Sequence, residues 1–212
     1  MSNKNTDNKI PIYKLTSKKR LIEYYDKWVI KNQYNKDMVD WNYVAPKNTV
    51  DLFEKYITNK KIKILDAGCG TGLVGVELLK RGFSNLIGVD FSKSMLELIP
   101  NGVYKSISLI DLNKSLDYQN DYFDSIICVG TFTYGHVRAN TLNEFVRITK
   151  NNGFICFTVN EGIYKKNKFD KKIKELKKNK NWKILKLIKS SYIINKDVSA
   201  WLCISKVNKL RG

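Results

Sequence analysis

Apolar residues fall along this chain in short runs whose spacing alternates between the period of a helix and that of a strand. SKKRLIEYYDKWVI, from Ser17 to Ile30, reads as an amphipathic helix that Ser17 can cap. The following KNQYNKDMVDWNYVAP is aromatic-rich and reads as irregular. Pro46 suits the first turn of a helix through Ile57, with Val50, Phe53 and Ile57 facing inward. From Ile62 the alternation becomes regular. A strand, IKILD, meets a glycine-rich loop, and Leu73, Val74, Leu78 and Leu79 lie at helical spacing between Thr71 and Arg81. A strand from Asn85 to Asp90 precedes a helix, SKSMLELI, in which Ser94 and Glu97 have the spacing of a capping box.

A strand around Tyr104 to Ile110 ends at Asp111. The apolar run Phe123 to Gly130 leads to a helix over Thr141 to Thr149 and a strand from Gly153 to Val159. A lysine-rich helix and two strand-like runs, WKILKLIKSSYII and SAWLCISKV, complete the chain. This order predicts an α/β fold with a Rossmann-like, mainly parallel seven-stranded sheet covered on both faces. The short turn near Asn195 adds an antiparallel edge strand. A single domain is expected, with a mobile tail over residues 1–15, a helical cap over 16–60 and the core over 61–212.

Composition narrows the class. At 212 residues with 43% hydrophobic and 12% aromatic content, the chain is globular. No run approaches the ~18 apolar residues of a membrane span, and no signal-peptide core opens the chain. Cys69, Cys128, Cys156 and Cys203 are scattered without a CxxC pair, which argues against zinc and against a disulfide framework. The expectation is a soluble cytoplasmic protein without a metal, monomeric or homodimeric.

The net charge of +18 is uneven. Residues 1–61 carry 13 basic and 7 acidic side chains, residues 62–161 carry 9 and 10, and residues 162–212 carry 16 and 3. The excess centres on a helix whose apolar face is Phe169, Ile173 and Leu176. Lysine outnumbers arginine 33 to 5, whereas phosphate readers usually add arginine forks. A solvated surface is the simpler reading, and nucleic acid is a partner not favoured.

Chemistry concentrates at LDAGCGTGLVG, Leu65 to Gly75. Glycines between a strand and a helix let a ligand lie against backbone amides. Asp66, Asp90 and Asp111 each stand at a strand's carboxyl end, where parallel sheets bind ligands. Three carboxylates would repel a diphosphate but suit a cationic sulfonium bearing an amino group and a ribose. Gly68, Gly70 and Gly72 give GxGxG, not the dinucleotide GxGxxG, and no GK[ST] follows.

The stretch Ile64 to Leu73 resembles motif I of the class I S-adenosylmethionine-dependent methyltransferases. YYDKW, NYVAP, GVDFSKSMLE and VRITKNNGFICFTVN are similar to methyltransferase-like proteins of the Williams–Beuren type. The resemblance spans residues 20–207 and implies S-adenosyl-L-methionine as cofactor, with methyl transfer to a small-molecule acceptor as the activity. It also implies roles. Asp90 binds the ribose, Asp111 and Leu112 hold the adenine, and Gly68 and Gly70 line the methionine portion. Asp66 orders the loop and the amino group, and Phe91 and Gly130 complete the cofactor set.

Tyr25, Trp28 and Tyr34 match cap aromatics that touch the methionine end in similar enzymes; a seam between cap and sheet is the other reading of Trp28 and Tyr34. Trp41 and Tyr43 fall toward the substrate side, Trp41 more simply as seam. In the loop VGTFTYGHVR, Thr131 and Tyr134 are substrate-side candidates. His136, the only histidine, is the candidate base, or else a surface residue. RNA or protein methylation through the basic helix, and cofactor binding without transfer, stand as alternatives.

Overall fold

Seven hydrophobic runs assemble into one sheet in the order β3-β2-β1-β4-β5-β7-β6. The computed structural model describes residues 10–15, 17–135 and 137–209. β1 (Ile64–Ala67) is central and buried at every position, as a strand covered on both faces must be. It pairs in parallel with β2 (Leu86–Asp90) and β4 (Phe123–Phe132). β3 (Ser106–Leu109) flanks β2, and β5 (Thr149–Asn160) flanks β4, both in parallel. β7 (Val198–Val207) is antiparallel to both β5 and β6 (Trp182–Ile193). The antiparallel pairing expected of the last two strands is present, with β7 one place in from the edge and β6 at the edge. Because the chain runs outward from β1 to β3 and returns at β4, the switch point lies between β1 and β4, and loops from both carboxyl ends converge there.

Helices α4 (Leu73–Lys80), α5 (Lys93–Leu96), α6 (Thr141–Ile148), α7 (Glu161–Tyr164) and α8 (Phe169–Lys178) connect the strands. Packing on α8 follows its pattern, with Phe169, Ile173 and Leu176 buried. The cap comprises α1 (Lys18–Trp28), α2 (Gln33–Asp40) and α3 (Ala45–Tyr56). Ser17 caps α1, its Oγ accepting the Arg20 amide at 3.3 Å. Pro46 sits in the first turn of α3, and Val50, Phe53 and Ile57 are buried.

Three expectations need correction. Residues 33–40 are helical, not irregular; the left-handed Lys31 and Asn32 (φ 54° and 60°) turn the chain into a helix that buries only Met38. α5 is capped by Ser92, whose Oγ accepts the Met95 amide at 3.4 Å, and Glu97 instead faces Lys93 at 3.7 Å. Residues 10–15 are packed rather than tail-like. Ile10, Ile12 and Tyr13 are buried, Tyr13 stacks on Tyr134 with centroids 4.7 Å apart, and its hydroxyl accepts the Asn160 side-chain amide at 3.1 Å.

Candidate active site

At the switch point the glycine loop crosses the end of β2. The amides of Gly68 and Cys69 both donate to the Val89 carbonyl, at 2.7 and 3.0 Å. Gly68 adopts φ +81°, and a Cβ there would stand 2.0 Å from Thr131 Oγ1, so only glycine fits. Thr131 in turn donates to the Ala67 carbonyl at 3.2 Å, tying the end of β4 to the loop. Above these elements opens a cavity of about 680 Å³, within the range of cofactor sites.

Asp90 is on the cavity wall. Its Oδ2 accepts the Gly70 amide and its Oδ1 the Ser92 amide, each at 2.9 Å. Burial raises its carboxyl above the usual value, against which the Ser92, Gly70 and Phe91 amides pull down. A carboxylate accepts at about four sites, so these three amides leave room for a further donor from the cavity. Asp111 also lines the cavity. Its Oδ1 accepts the Asn113 amide at 3.0 Å and its Oδ2 meets Lys18 Nζ at 2.7 Å. Burial raises its carboxyl, but Lys18 and the Asn113 amide outweigh that and leave it below the ordinary range.

Asp66 lies beneath the loop, fully buried and off the cavity wall. Its Oδ2 accepts the Tyr104 hydroxyl at 2.6 Å, and its Oδ1 has no partner among the described residues. Burial pushes its carboxyl up to about 7, with the Asp90 charge adding to the rise and the Tyr104 bond opposing it.

Of the other expected residues, Tyr25, Tyr34, Tyr43, Gly68, Gly70, Phe91, Leu112, Gly130 and Thr131 line the cavity. Trp28 and Trp41 do not. They border a side chamber that shares Tyr25, Tyr34, Tyr43 and Gly130 with the cavity. Tyr134 borders neither, being taken up by its stacking on Tyr13. His136 lies outside the described residues. Sequence reasoning missed Lys18, Arg138 and Asn167 on the wall, and Asn35, whose Oδ1 accepts the Thr71 hydroxyl at 2.6 Å. Arg138 ends the loop VGTFTYGHVR and could have been read there, whereas Lys18, Asn35 and Asn167 reach the site from elements remote in sequence from the glycine loop. Among the described residues no cluster of potential metal ligands forms, and no helix is long and apolar enough to cross a membrane.

Residues 65–157 match the model of the methyltransferase domain family. They hold the glycine loop, Asp90 and Asp111, all at the carboxyl ends of the parallel strands. Over that stretch the chain is similar to methyltransferase domains. The chain is 36% identical over 141 residues to human methyltransferase-like protein 27, covering 65% of this chain and 56% of that one. It is 43% identical over 76 residues to EEF1A lysine methyltransferase 2 of Danio rerio, covering 32% of each. The chain therefore spans about half, or less, of the length of the curated relatives it matches. A solved structure of an S-adenosylmethionine-dependent methyltransferase from Methanococcus maripaludis superposes with a TM-score of 0.61 at 15% identity, covering 91% of this chain and 94% of that one. At that identity the likeness speaks for the fold.

The site fits the cofactor of this family. Asp90 keeps an accepting site at a buried wall, and the bare backbone of Gly70 and the side of Leu112 edge the same cavity.

Proposed function

We propose that this chain transfers a methyl group from S-adenosylmethionine to a small-molecule acceptor. When bound, the cofactor supplies an electrophilic methyl on a sulfonium. The protein's share is placement: Asp90 holds hydroxyls, Asp111 and the Leu112 backbone face the base, and the cap shuts the water out. Placement of this kind contributes ~7–11 kcal/mol. Supporting the small acceptor is the size of the recess that adjoins the cavity at Tyr43 and Gly130: it holds only about 50 Å³ and is bordered by Ile10, Ile12 and Tyr13. Incubation of the protein with labelled cofactor and a metabolite library tests this reading. Label in a small-molecule fraction is expected, and label only in protein or RNA would overturn it.

One observation favours a macromolecular acceptor instead. Asn167, on the cavity wall, leads directly into α8, whose exposed Lys171, Lys174 and Lys178 continue toward Lys183 and Lys189 on the edge strand β6. A relative named as a lysine methyltransferase of EEF1A is consistent with that surface meeting a protein.

A further inference from the structure

Seven of the thirteen residues around the side chamber are tyrosine or tryptophan. Several of these rings meet at steep angles, while Tyr25 and Trp28 stack at 15° and Trp28 and Trp41 tilt at 45°. Trp28 and Tyr34 cross at 77° with centroids 4.9 Å apart, and Tyr25 and Tyr34 at 63°. Tyr43 and Tyr192 cross at 73°, 5.1 Å apart. Among the described residues no Asp, Glu, Lys or Arg borders the chamber. Burial raises the phenols of Tyr25, Tyr43 and Tyr192 well above their ordinary value, so they stay neutral. The chamber's field therefore comes from ring faces and hydroxyl dipoles.

A second observation gives that field its sign. Trp28 Nε1 donates to Asp37 Oδ2 at 2.6 Å, and Gln33 holds the other oxygen of Asp37 at 2.7 Å. A carboxylate accepting the indole N–H pushes electron density onto the ring and strengthens its negative face. Cations already seek this cluster from outside, since Lys196 Nζ stands 4.8 Å from the Trp41 centroid. An opening of about 50 Å³ has room for roughly three or four water-sized groups.

We propose that this chamber is the acceptor subsite and that it recognises a small aliphatic ammonium head, so that the acceptor is an amine or its methylated form. The proposal rests on the methyl-transfer reading above. Several ring faces around one cation favour it over a neutral group of the same shape. A seam that merely seals the cap would bind both alike.

The test uses choline and its neutral carbon isostere, in which a tert-butyl group stands for the trimethylammonium. Each is titrated by calorimetry into the full chain loaded with S-adenosylhomocysteine. Choline is expected to bind about tenfold tighter or more than the isostere. Asp37→Asn should reduce that preference by weakening the Trp28 face, and Trp28→Leu should abolish it while Trp28→Phe keeps part. Equal binding of the two probes, or binding of neither to a protein that still takes up S-adenosylhomocysteine, would sink the ammonium site and leave the methyl-transfer reading standing. Failure to bind S-adenosylhomocysteine itself would overturn both.

Discussion

Asp66 and Asp90 end neighbouring strands, and both are buried, yet their surroundings assign them different work. Asp90 accepts backbone amides and faces the cavity, so Asp90→Ala removes bonds to a charged group on the binding wall. Each such bond contributes ~1.5–3 kcal/mol, and calorimetry with S-adenosylhomocysteine should show at least a tenfold loss of affinity. Wild-type affinity in this variant would mean that the ribose lies elsewhere. Asp66 is off the wall, so Asp66→Asn should leave that affinity nearly unchanged and act on stability instead. Its carboxyl rises from 3.8 to about 7 on folding, so between those values the folded state holds the proton that the unfolded state has released. Stability from this group is full below pH 3.8 and falls as pH climbs through 7. The asparagine, which can still accept the Tyr104 hydroxyl, should flatten that slope and make the protein more stable than wild type at pH 8. Denaturant titrations at pH 5 and pH 8 measure it, and an unchanged slope would place the proton elsewhere.

The cap α1–α3 touches the core at both sides of the cavity. Lys18 reaches Asp111, Asn35 reaches Thr71, and Tyr25 meets Phe91 edge-on with centroids 5.9 Å apart. A ligand between these contacts bridges cap and sheet, and ordering of the cap follows from the added burial. The joint at Lys31 and Asn32, left-handed and exposed, is where trypsin should cut first. S-adenosylhomocysteine should slow that cleavage, and an equal rate with and without it would make the cap a fixed wall. Trp28→Ala is a companion test: it should lower the melting temperature while cofactor affinity stays near wild type, because Trp28 borders the chamber and not the main cavity. The same elements show what could be read from sequence. Phe123–Phe132 carries a continuous apolar run and the Ser17-capped helix an amphipathic one, and they form where those patterns put them. α2 was missed because it has only eight residues and starts from the left-handed Lys31 and Asn32, too short a stretch to show a helical stripe. Residues 10–15 were misread for another reason: Ile10, Ile12 and Tyr13 are held by Tyr134 and Asn160, more than a hundred residues away. Asp90, Asp111 and the glycines were legible, since strand ends and turns are local features; the Lys18 and Asn167 walls were not.

At the scale of the whole molecule, the charge is sorted by the sheet. β3 closes one edge, and its exposed strand carries no lysine or arginine, whereas β6 closes the other beside α8. α8 packs against β6 through Trp182, whose Nε1 donates to the Ile173 carbonyl at 3.3 Å. The lysines of both elements therefore share one flank of the molecule. If that flank only keeps the protein solvated, replacing Lys171, Lys174 and Lys178 together by glutamine should leave the melting temperature, S-adenosylhomocysteine affinity and turnover of a small acceptor nearly unchanged. All three are exposed, so no core contact is lost. Any affinity for RNA that the wild type shows at low salt should weaken in the triple variant, and its slope against salt should fall with the number of phosphate contacts removed. That loss would report nonspecific charge alone. A triple variant that folds and binds cofactor normally but no longer methylates would instead place the acceptor on the α8–β6 flank, and the acceptor would then be a macromolecule.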